Sequence, residues 1–586
     1  MKIKNLLEKR IVRIIILVII TILACLPLFI HGIEAHFGQD LGFHLNRIEG
    51  IVTELKAGHF PVKMESFWMD GYGYPVPIYY GDILLYIPAL LRLMGIGVVT
   101  SYKCYVILIT FATVLIAYLC FKKIFVRYDI ALALSLILSS ASYRLENVYI
   151  RAAVGEYTAM AFYPIILLAM YLIYTSNKEI DRKEIIKNAT LLALGVTGLV
   201  NTHILSLEIV GIVLIIFCLI KFKKTFTGKT ILTFLLSGVE IVIVNLFFII
   251  PFVDYFVNVD ANINNVVGNA RTIQDSGMYL WEYFSFFKMP FSNVEGVGDG
   301  RLLVTPGIVC ILSIVSAIIL WVRKKATKSM KAIILSSIVL MFLSSRYFPW
   351  NFLAKNLKVG DFLAQVQFPW RYIGIVLVLL TWLAGLVIEK LDKKVLVGIA
   401  YTAIILATVT TDIWFTVSYK TYAELKCFEE AEELDTFDMG FIEYLRANTI
   451  REDFTNTVDV SYKNSETGDI VTQRYDANIG TPNHMTYRNG YEAKYEIIAP
   501  KGSNVTFPIV NYKGYKAYDK DDNLLDIEDG DNDLLKIDFD DGYEGEIYIT
   551  FEQPAIWIVA EIISLIGIVL LISILVIITK RGRKKI

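Results

Sequence analysis

Residues 555–579 read AIWIVAEIISLIGIVLLISILVIIT, and Lys580, Arg581, Arg583, Lys584 and Lys585 follow at once. About 20 apolar residues suffice to cross the ~30 Å hydrocarbon core of a bilayer as one helix. A backbone in lipid has no water to bond, so such a run is expected to be helical. The basic tail behind it marks the inner side, because Lys and Arg accumulate on cytoplasmic loops.

Working back along the chain, comparable runs recur at about 11–30, 101–121, 129–143, 157–174, 186–201, 204–220, 230–252, 303–322, 332–345, 371–388 and 395–417. The composition agrees: 55% of the 586 residues are hydrophobic and the mean hydropathy is +0.54. The runs are continuous rather than alternating, which excludes a transmembrane β-barrel. The expected fold class is a polytopic all-α membrane protein of about twelve helices. The N-terminal run follows Lys2, Lys4, Lys9, Arg10 and Arg13 like a signal peptide, but it has no small-residue cleavage site and reads as an uncleaved first helix.

With the N-terminus inside, the short basic clusters all fall on one side: Lys122, Lys123 and Arg127, then Lys178 to Lys187, Lys221 to Lys229, Arg323 to Lys331, and Lys390 to Lys394. Both termini are then cytoplasmic. Residues 82–97 are apolar but hold Pro88 and Arg92, and a span there would invert every later loop, so they read as a re-entrant or interfacial helix. The net charge of -1 says nothing about partners, and no nucleic-acid partner is expected. Six scattered cysteines without CxxC spacing indicate neither a disulfide framework nor a zinc site.

This topology leaves residues 31–100, 253–302 and 418–553 outside. The last segment is polar, with about 30 acidic against about 13 basic side chains. Apolar positions at Phe428, Leu434, Phe437, Phe441, Ile442 and Leu445 predict a helix over 424–447. Beyond it, Val458-Asp459-Val460, Tyr495-Glu496-Ile497, Val505-Thr506-Phe507 and Ile547-Tyr548-Ile549 alternate with period two between Gly, Asn and Asp turns, the pattern of an antiparallel β-sandwich. Asp529, Asp531 and Asp533 alternate as in a calcium loop, but Leu534 stands where the glycine belongs, and solvated hairpin turns are the better reading.

The first outer loop reads Gly38-Gln39-Asp40-Leu41-Gly42-Phe43-His44-Leu45-Asn46-Arg47, with a helical stripe from Leu41 to Leu55. Asp40 stands at the N-cap position, and His44 and Arg47 lie near one face of that helix. Two readings are open. Asp40 caps a helix on the membrane surface, or it is a reacting carboxylate beside Gly58-His59-Phe60-Pro61 and Gly71-Tyr72-Gly73-Tyr74-Pro75. The second outer loop holds Tyr143-Arg144, Glu146, Arg151 and Gly155-Glu156. Positive-inside bias makes outer arginines the exception, so Arg144 and Arg151 are candidates for a phosphate or pyrophosphate, although pairs with Glu146 and Glu156 account for them too. His203 sits at a tight outer turn, and Gln367-Phe368-Pro369-Trp370-Arg371 opens the tenth span, where Arg371 suits a lipid phosphate or a pair with Asp361.

Taken together, these motifs resemble bacterial integral membrane proteins of the GT-C glycosyltransferase-like group. The resemblance is nearest to the branch labelled 6-pyruvoyl-tetrahydropterin synthase-related, with kinship to YfhO-type envelope proteins, and it covers nearly the whole chain. It implies a transmembrane domain over 1–417, an extracytoplasmic helix plus β-rich domain over 418–553, and a C-terminal anchor over 554–586 in a bacterial cell membrane. It also implies sugar transfer on the outer face, from a polyprenyl-phosphate donor to an envelope polymer, lipid or protein acceptor. Asp40 matches the acidic residue of the first outer loop and Glu156 a second acidic position; His44, Arg47, Tyr74, Arg144, Arg151, His203, Trp370 and Arg371 would then bind substrate. Asp40 stands alone where paired acids are common, with Glu34 six residues earlier, and a divalent cation such as Mg2+ or Mn2+ is left open. The pterin label carries no activity, since the six histidines form no zinc-binding cluster.

Two other functions fit the same chain. A transporter or flippase for lipid-linked sugars would place charges inside the spans, and Glu208 and Glu240 lie there. A catalytically silent scaffold would bind envelope partners through its acidic domain.

Overall fold

The computed structural model describes residues 6–36, 38–175, 182–263, 273–287, 302–356, 366–422, 425–440, 442–478, 480 and 482–583. The predicted Asp361 partner and the outer arginines at 271 and 301 lie outside them.

Each of the twelve apolar runs contains a helix. In chain order the helices used below are α1 (Arg10–Ala24), α2 (Leu41–Lys56), α3 (Tyr86–Leu93), α4 (Val98–Phe125), α5 (Tyr128–Ser139), α6 (Ser142–Tyr149), α7 (Val154–Ala159), α8 (Tyr163–Thr175), α9 (Arg182–Val200), α10 (Ile204–Ile220), α11 (Gly228–Asn258), α12 (Ile308–Val322), α13 (Lys328–Leu343), α14 (Ile373–Glu389), α15 (Lys394–Tyr422) and α16 (Ala555–Arg583). Among the described residues, six helical stretches are long and apolar enough to cross a membrane: Val98–Phe125, Val154–Thr175, Gly228–Asn258, Pro369–Glu389, Lys394–Thr421 and Ala555–Ile577. Helices α5, α10 and α12 are apolar but shorter.

Bundle contacts join α4 to α5, α9 to α11, α12 and α13 to α14, and α11 to α16. Small residues allow the last of these to be close. Ser564 donates to the carbonyl of Ile243 (3.0 Å) and accepts from the amide of Phe247 (2.9 Å), and any side chain on Gly567 would press on Ile243. Oxygen donors and small side chains serve apolar helix pairs in this way where lipid offers no hydrophobic drive. All six cysteines are free.

Helix α2 forms over the predicted residues, yet it does not lie along a surface. Leu41, Leu45, Ile48, Ile51 and Val52 are buried, and so are His44, Asn46, Arg47, Glu49 and Glu54. The bundle covers one side and the C-terminal domain the other.

That domain holds two five-stranded antiparallel sheets, β10-β11-β7-β3-β4 and β5-β6-β12-β8-β9. The strands are β3 (Thr457–Lys463), β4 (Ile470–Asp476), β5 (His484–Asn489), β6 (Glu492–Ala499), β7 (Ser503–Val510), β8 (Tyr515–Tyr518), β9 (Leu524–Leu525), β10 (Glu528–Asp529), β11 (Leu534–Phe539) and β12 (Tyr543–Phe551). The period-two reading holds: Val458, Val460, Tyr495, Ile497, Val505, Phe507, Ile547 and Ile549 all bury their side chains in one core. A further pair, β1 (Ala35–His36) with β2 (Leu425–Lys426), ties the first outer loop to the segment entering the domain.

The helix expected over 424–447 is absent from the described residues of that segment. Instead, β2 gives way to a 3-10 turn at Ala431–Glu433 and then to loops. Two local features override the apolar spacing. The Asp435 carboxylate accepts the amide of Phe437 (2.9 Å), and Gly440 adopts φ +68. Both are turn chemistry that competes with helix. Asn46 of α2 then donates to the carbonyls of Asp435 (2.7 Å) and Asp438 (3.3 Å), which fixes the loop over α2.

The acidic alternation at 529–533 serves the domain's own framework. Arg446 forks onto both oxygens of Asp529, and Asp533 accepts from Asn448 (3.1 Å) and Thr449 (3.2 Å). The domain rests on the first outer loop: Arg488 donates to the carbonyl of Gly71 (2.5 Å), the amide of Val510 to Tyr72 (3.0 Å), and Phe454 stacks on Tyr72 at 3.8 Å.

Candidate functional site

The first and second outer loops meet in a seam where glycines permit contact. A Cβ on Gly38 would lie 2.4 Å from the carbonyl oxygen of Ile150, and one on Gly155 would lie 1.9 Å from the Tyr80 hydroxyl. A Cβ on Gly81 would lie 2.7 Å from the backbone of Asn201. Across this seam the amide of Asp40 donates to the carbonyl of Arg151 at 2.8 Å.

Asp40 is the residue before α2, and its main-chain carbonyl accepts from the amide of His44 (3.1 Å). Its carboxylate does not cap the helix and has no hydrogen-bond partner among the described residues. It is half-buried and stands in the field of two guanidiniums. Burial raises its pKa, Arg151 and then Arg371 pull it down, and Glu156 and Asp438 add to the rise; the net direction is upward.

Glu156 on α7 is engaged on both oxygens. One accepts from the Tyr143 hydroxyl; the other accepts from Arg151 Nη1 at 2.8 Å and lies 3.5 Å from Arg371 Nε. Arg151 also donates to Asn147 Oδ1 (2.5 Å) and reaches Gln39 Oε1 (3.4 Å). Arg371, at the start of the helical stretch leading into α14, donates to the carbonyl of Val366 (2.8 Å) and the side chain of Gln367 (3.1 Å). Trp370 stacks on Phe368 at 4.3 Å, with the Arg151 guanidinium 6.0 Å from its ring centre. Its indole N–H is buried without an acceptor, and Arg371 Nε has no hydrogen bond. Buried donors without acceptors are uncommon and call for a ligand or water.

Two histidines complete the cluster. The Nδ1 of His203 accepts the amide of Ser206 (3.2 Å), so the proton sits on Nε2. Burial, then Arg371, lowers its pKa to about 3 despite Glu156. Burial, then Arg47 and His203, holds His44 well below the ordinary histidine range. Both are neutral at pH 7. Tyr80 closes the side nearest α2, packed under Arg47 at 4.1 Å.

The other residues expected to bind substrate have different neighbours. Arg47 donates to the carbonyls of Tyr80 (3.1 Å) and Gly81 (2.9 Å) and thereby sets the loop position. Tyr74 lies in the seam with the C-terminal domain, its hydroxyl accepting the amide of Tyr444 (3.2 Å). Arg144 is buried against α4, where it donates to Thr110 (3.1 Å). Asp412 on α15, bound by Ser140 at 2.8 Å, adds an acid to that neighbourhood.

Sequence reasoning did not single out Glu443. It comes from the loop laid over α2, and burial pushes it up to about 7, against a hydrogen bond from its own backbone and with a smaller push from Asp40. Its only signal was an acid within the 424–447 segment, read there as a helix. Among the described residues no group of three His, Cys, Asp or Glu is placed to hold a metal ion. No protein-family model matches the chain, and no curated protein sequence matches it significantly.

Proposed function

We propose that this chain is a membrane glycosyltransferase of the GT-C type, which transfers a sugar from a polyprenyl-phosphate donor to an envelope acceptor on the outer face of a bacterial membrane. Twelve spans, cytoplasmic termini and an extracytoplasmic 418–553 segment belong to this proposal. One observation carries it. An unpartnered carboxylate, Asp40, shares a half-enclosed cluster with Arg151, Arg371 and buried donors that lack acceptors.

Each part has a task in the reaction. Asp40 takes the proton of the acceptor hydroxyl as its oxygen bonds the anomeric carbon. The bond from that carbon to the phosphate oxygen breaks, and its electron pair leaves on the lipid phosphate. Arg371 and Arg151 offset the charge that develops there, fixed in place beforehand by Glu156. The Trp370 and His203 N–H groups supply neutral donors to phosphate or sugar oxygens. A raised carboxyl pKa improves the match of a base to neutral pH. In this reading Glu156 orients the arginines and is not the base.

The test is sugar transfer in proteoliposomes, with a panel of radiolabelled polyprenyl-phosphate sugars and envelope extract as acceptor. Asp40→Asn is expected to lose transfer by a factor of about 100 or more while inserting normally. Transfer that is indifferent to Asp40→Asn sinks the assignment.

A further inference from the structure

The two sheets of the C-terminal domain differ on their outward faces. On the β3 sheet, Ser461, Thr472, Asn504 and Asp538 form one outward row. On the β12 sheet, the register lines up Tyr487, Lys494, Tyr548, Tyr518 and Leu524 across β5, β6, β12, β8 and β9. Alternation places these opposite the buried Ala493, Ile547, Ile549 and Ala517, so the row faces outward. Tyr487 is 44% exposed and Leu524 60%. Tyr518 and Tyr548 lie 6.3 Å apart with their planes 29° from parallel.

Charge on this face is arranged in a specific way. Lys494 pairs with Glu546 at 2.8 Å, and Lys516 with Glu552 at 2.5 Å. Glu552 also accepts the Tyr518 hydroxyl at 2.6 Å. Both lysines are therefore engaged, while Glu496 and Glu492, the latter 3.6 Å from His59 Nε2, project from the same face of β6. With Glu544 in the same register on β12, carboxylates outnumber ammoniums on this face, which repels polyanions and anionic lipid head groups. What remains is a row of amphipathic side chains on strands about 4.8 Å apart, in which Lys494 stands between Tyr487 and Tyr548 with its ammonium 5.9 Å from the Tyr548 ring centre, flanked by carboxylate acceptors.

We infer that this face is a binding platform for an uncharged polysaccharide or oligosaccharide chain lying across the strands. The apolar C–H faces of pyranose rings stack on Tyr548, Tyr518 and Tyr487. Their hydroxyls donate to Glu546, Glu496 and Glu492. The inference concerns the outer domain alone and stands whether or not the Asp40 cluster transfers sugar.

The experiment is calorimetric titration of the full chain in lipid nanodiscs. The probes are cellohexaose and chitohexaose, with a dextran sulfate oligomer, a lysine decapeptide and anionic vesicles as comparators. At least one neutral hexasaccharide is expected to bind, with affinity reduced about tenfold by Tyr548→Ala and by Tyr487→Ser, the scale of a lost stacking contact. Thr472→Ala on the other sheet leaves it unchanged. Tyr487 lies on an edge strand, so Tyr487→Ser keeps the test valid if Tyr548→Ala does not fold. The inference is overturned if neither neutral hexasaccharide binds, if both tyrosine variants bind as well as wild type, or if only the decapeptide or the vesicles bind.

Discussion

The main-chain N–H of Asp40 donates to the carbonyl oxygen of Arg151 at 2.8 Å, while the Arg151 side chain grips Glu156 at the same distance. The position of the carboxylate thus depends on the second outer loop, and that loop depends on a buried ion pair. The two acids are expected to respond in opposite ways. Glu156→Gln leaves two guanidiniums buried without their counter-charge, a loss on the scale of about 3–5 kcal/mol, so thermal unfolding of the purified protein should move down by several degrees. Asp40→Asn removes a charge that burial already disfavours, so its unfolding temperature should hold or rise. Equal destabilisation by both would mean that Asp40 is a structural acid.

Gly155 lies where two loops touch. A methyl group there would meet the Tyr80 hydroxyl at 1.9 Å and the carbonyl oxygen of Thr202 at 2.6 Å, and the second of these is backbone. Gly155→Ala is expected to cost about 1–3 kcal/mol through overpacking and to open the seam beside Asp40. Gly211 on α10 has nothing within 4 Å of its Cβ direction, so Gly211→Ala serves as the control. It should be neutral or slightly stabilising, since Ala exceeds Gly in helix propensity by about 1 kcal/mol. Equal melting shifts for the pair would remove the seam from the argument.

The helices and sandwich strands were legible because their signals are periodic and local. Continuous apolar runs became helices, and the alternation around Val458 and Ile547 became strands with one buried face. The segment around Asp435 was misread because its apolar residues share helical spacing by coincidence. A carboxylate-capped turn, a positive-φ Gly440 and Asn46 from α2 decide its path, and the last contact is nearly 400 positions away in sequence. The site divided in the same manner. Asp40, Arg151, Glu156, Trp370 and Arg371 stood out because charge and aromatic rings at an outer helix end are costly without a purpose. Which of Arg144 and Arg151 joined them was not readable: the two are seven residues apart, and a break after α6 sends them to different neighbours.

Glu443 offers a pH readout that needs no substrate. Its ordinary value of 4.5 is raised to about 7, chiefly by burial. The folded state therefore holds this proton more tightly than the unfolded chain does. That contribution to stability is complete below 4.5 and is lost as pH rises through about 7. Burial is the largest single effect on His59 and lowers it, but Glu54 and then Glu492 together outweigh burial and raise it, so it acts in the same direction above its ordinary 6.5. The unfolding temperature should thus fall between pH 4.5 and 7. Burial also raises Asp40, and Asp82 to about 6, so Glu443→Gln should make the fall in that interval shallower and leave the fall above it, to which His59 contributes. An unchanged profile in Glu443→Gln would show that the loop over α2 does not bury this carboxyl in solution.

Sidedness can be read from a cysteine already present. Cys427 is exposed, in the segment between α15 and the sandwich, whereas Cys104 is exposed on the apolar α4. If residues 418–553 are extracytoplasmic, a membrane-impermeant maleimide labels Cys427 in intact cells and spares Cys104, which lipid shields. Slight burial and the carboxylates of Glu429 and Glu433 push the Cys427 thiol above its ordinary value. Because the thiolate is the reacting form, labelling should accelerate from pH 7 to pH 8.5. In a Cys427→Ser background, Lys584→Cys should react only after the cells are permeabilised if the basic tail is inside, as proposed. Labelling of Cys427 only after permeabilisation would invert the topology, put the Asp40 cluster on the inner face, and rule out transfer on the outer face.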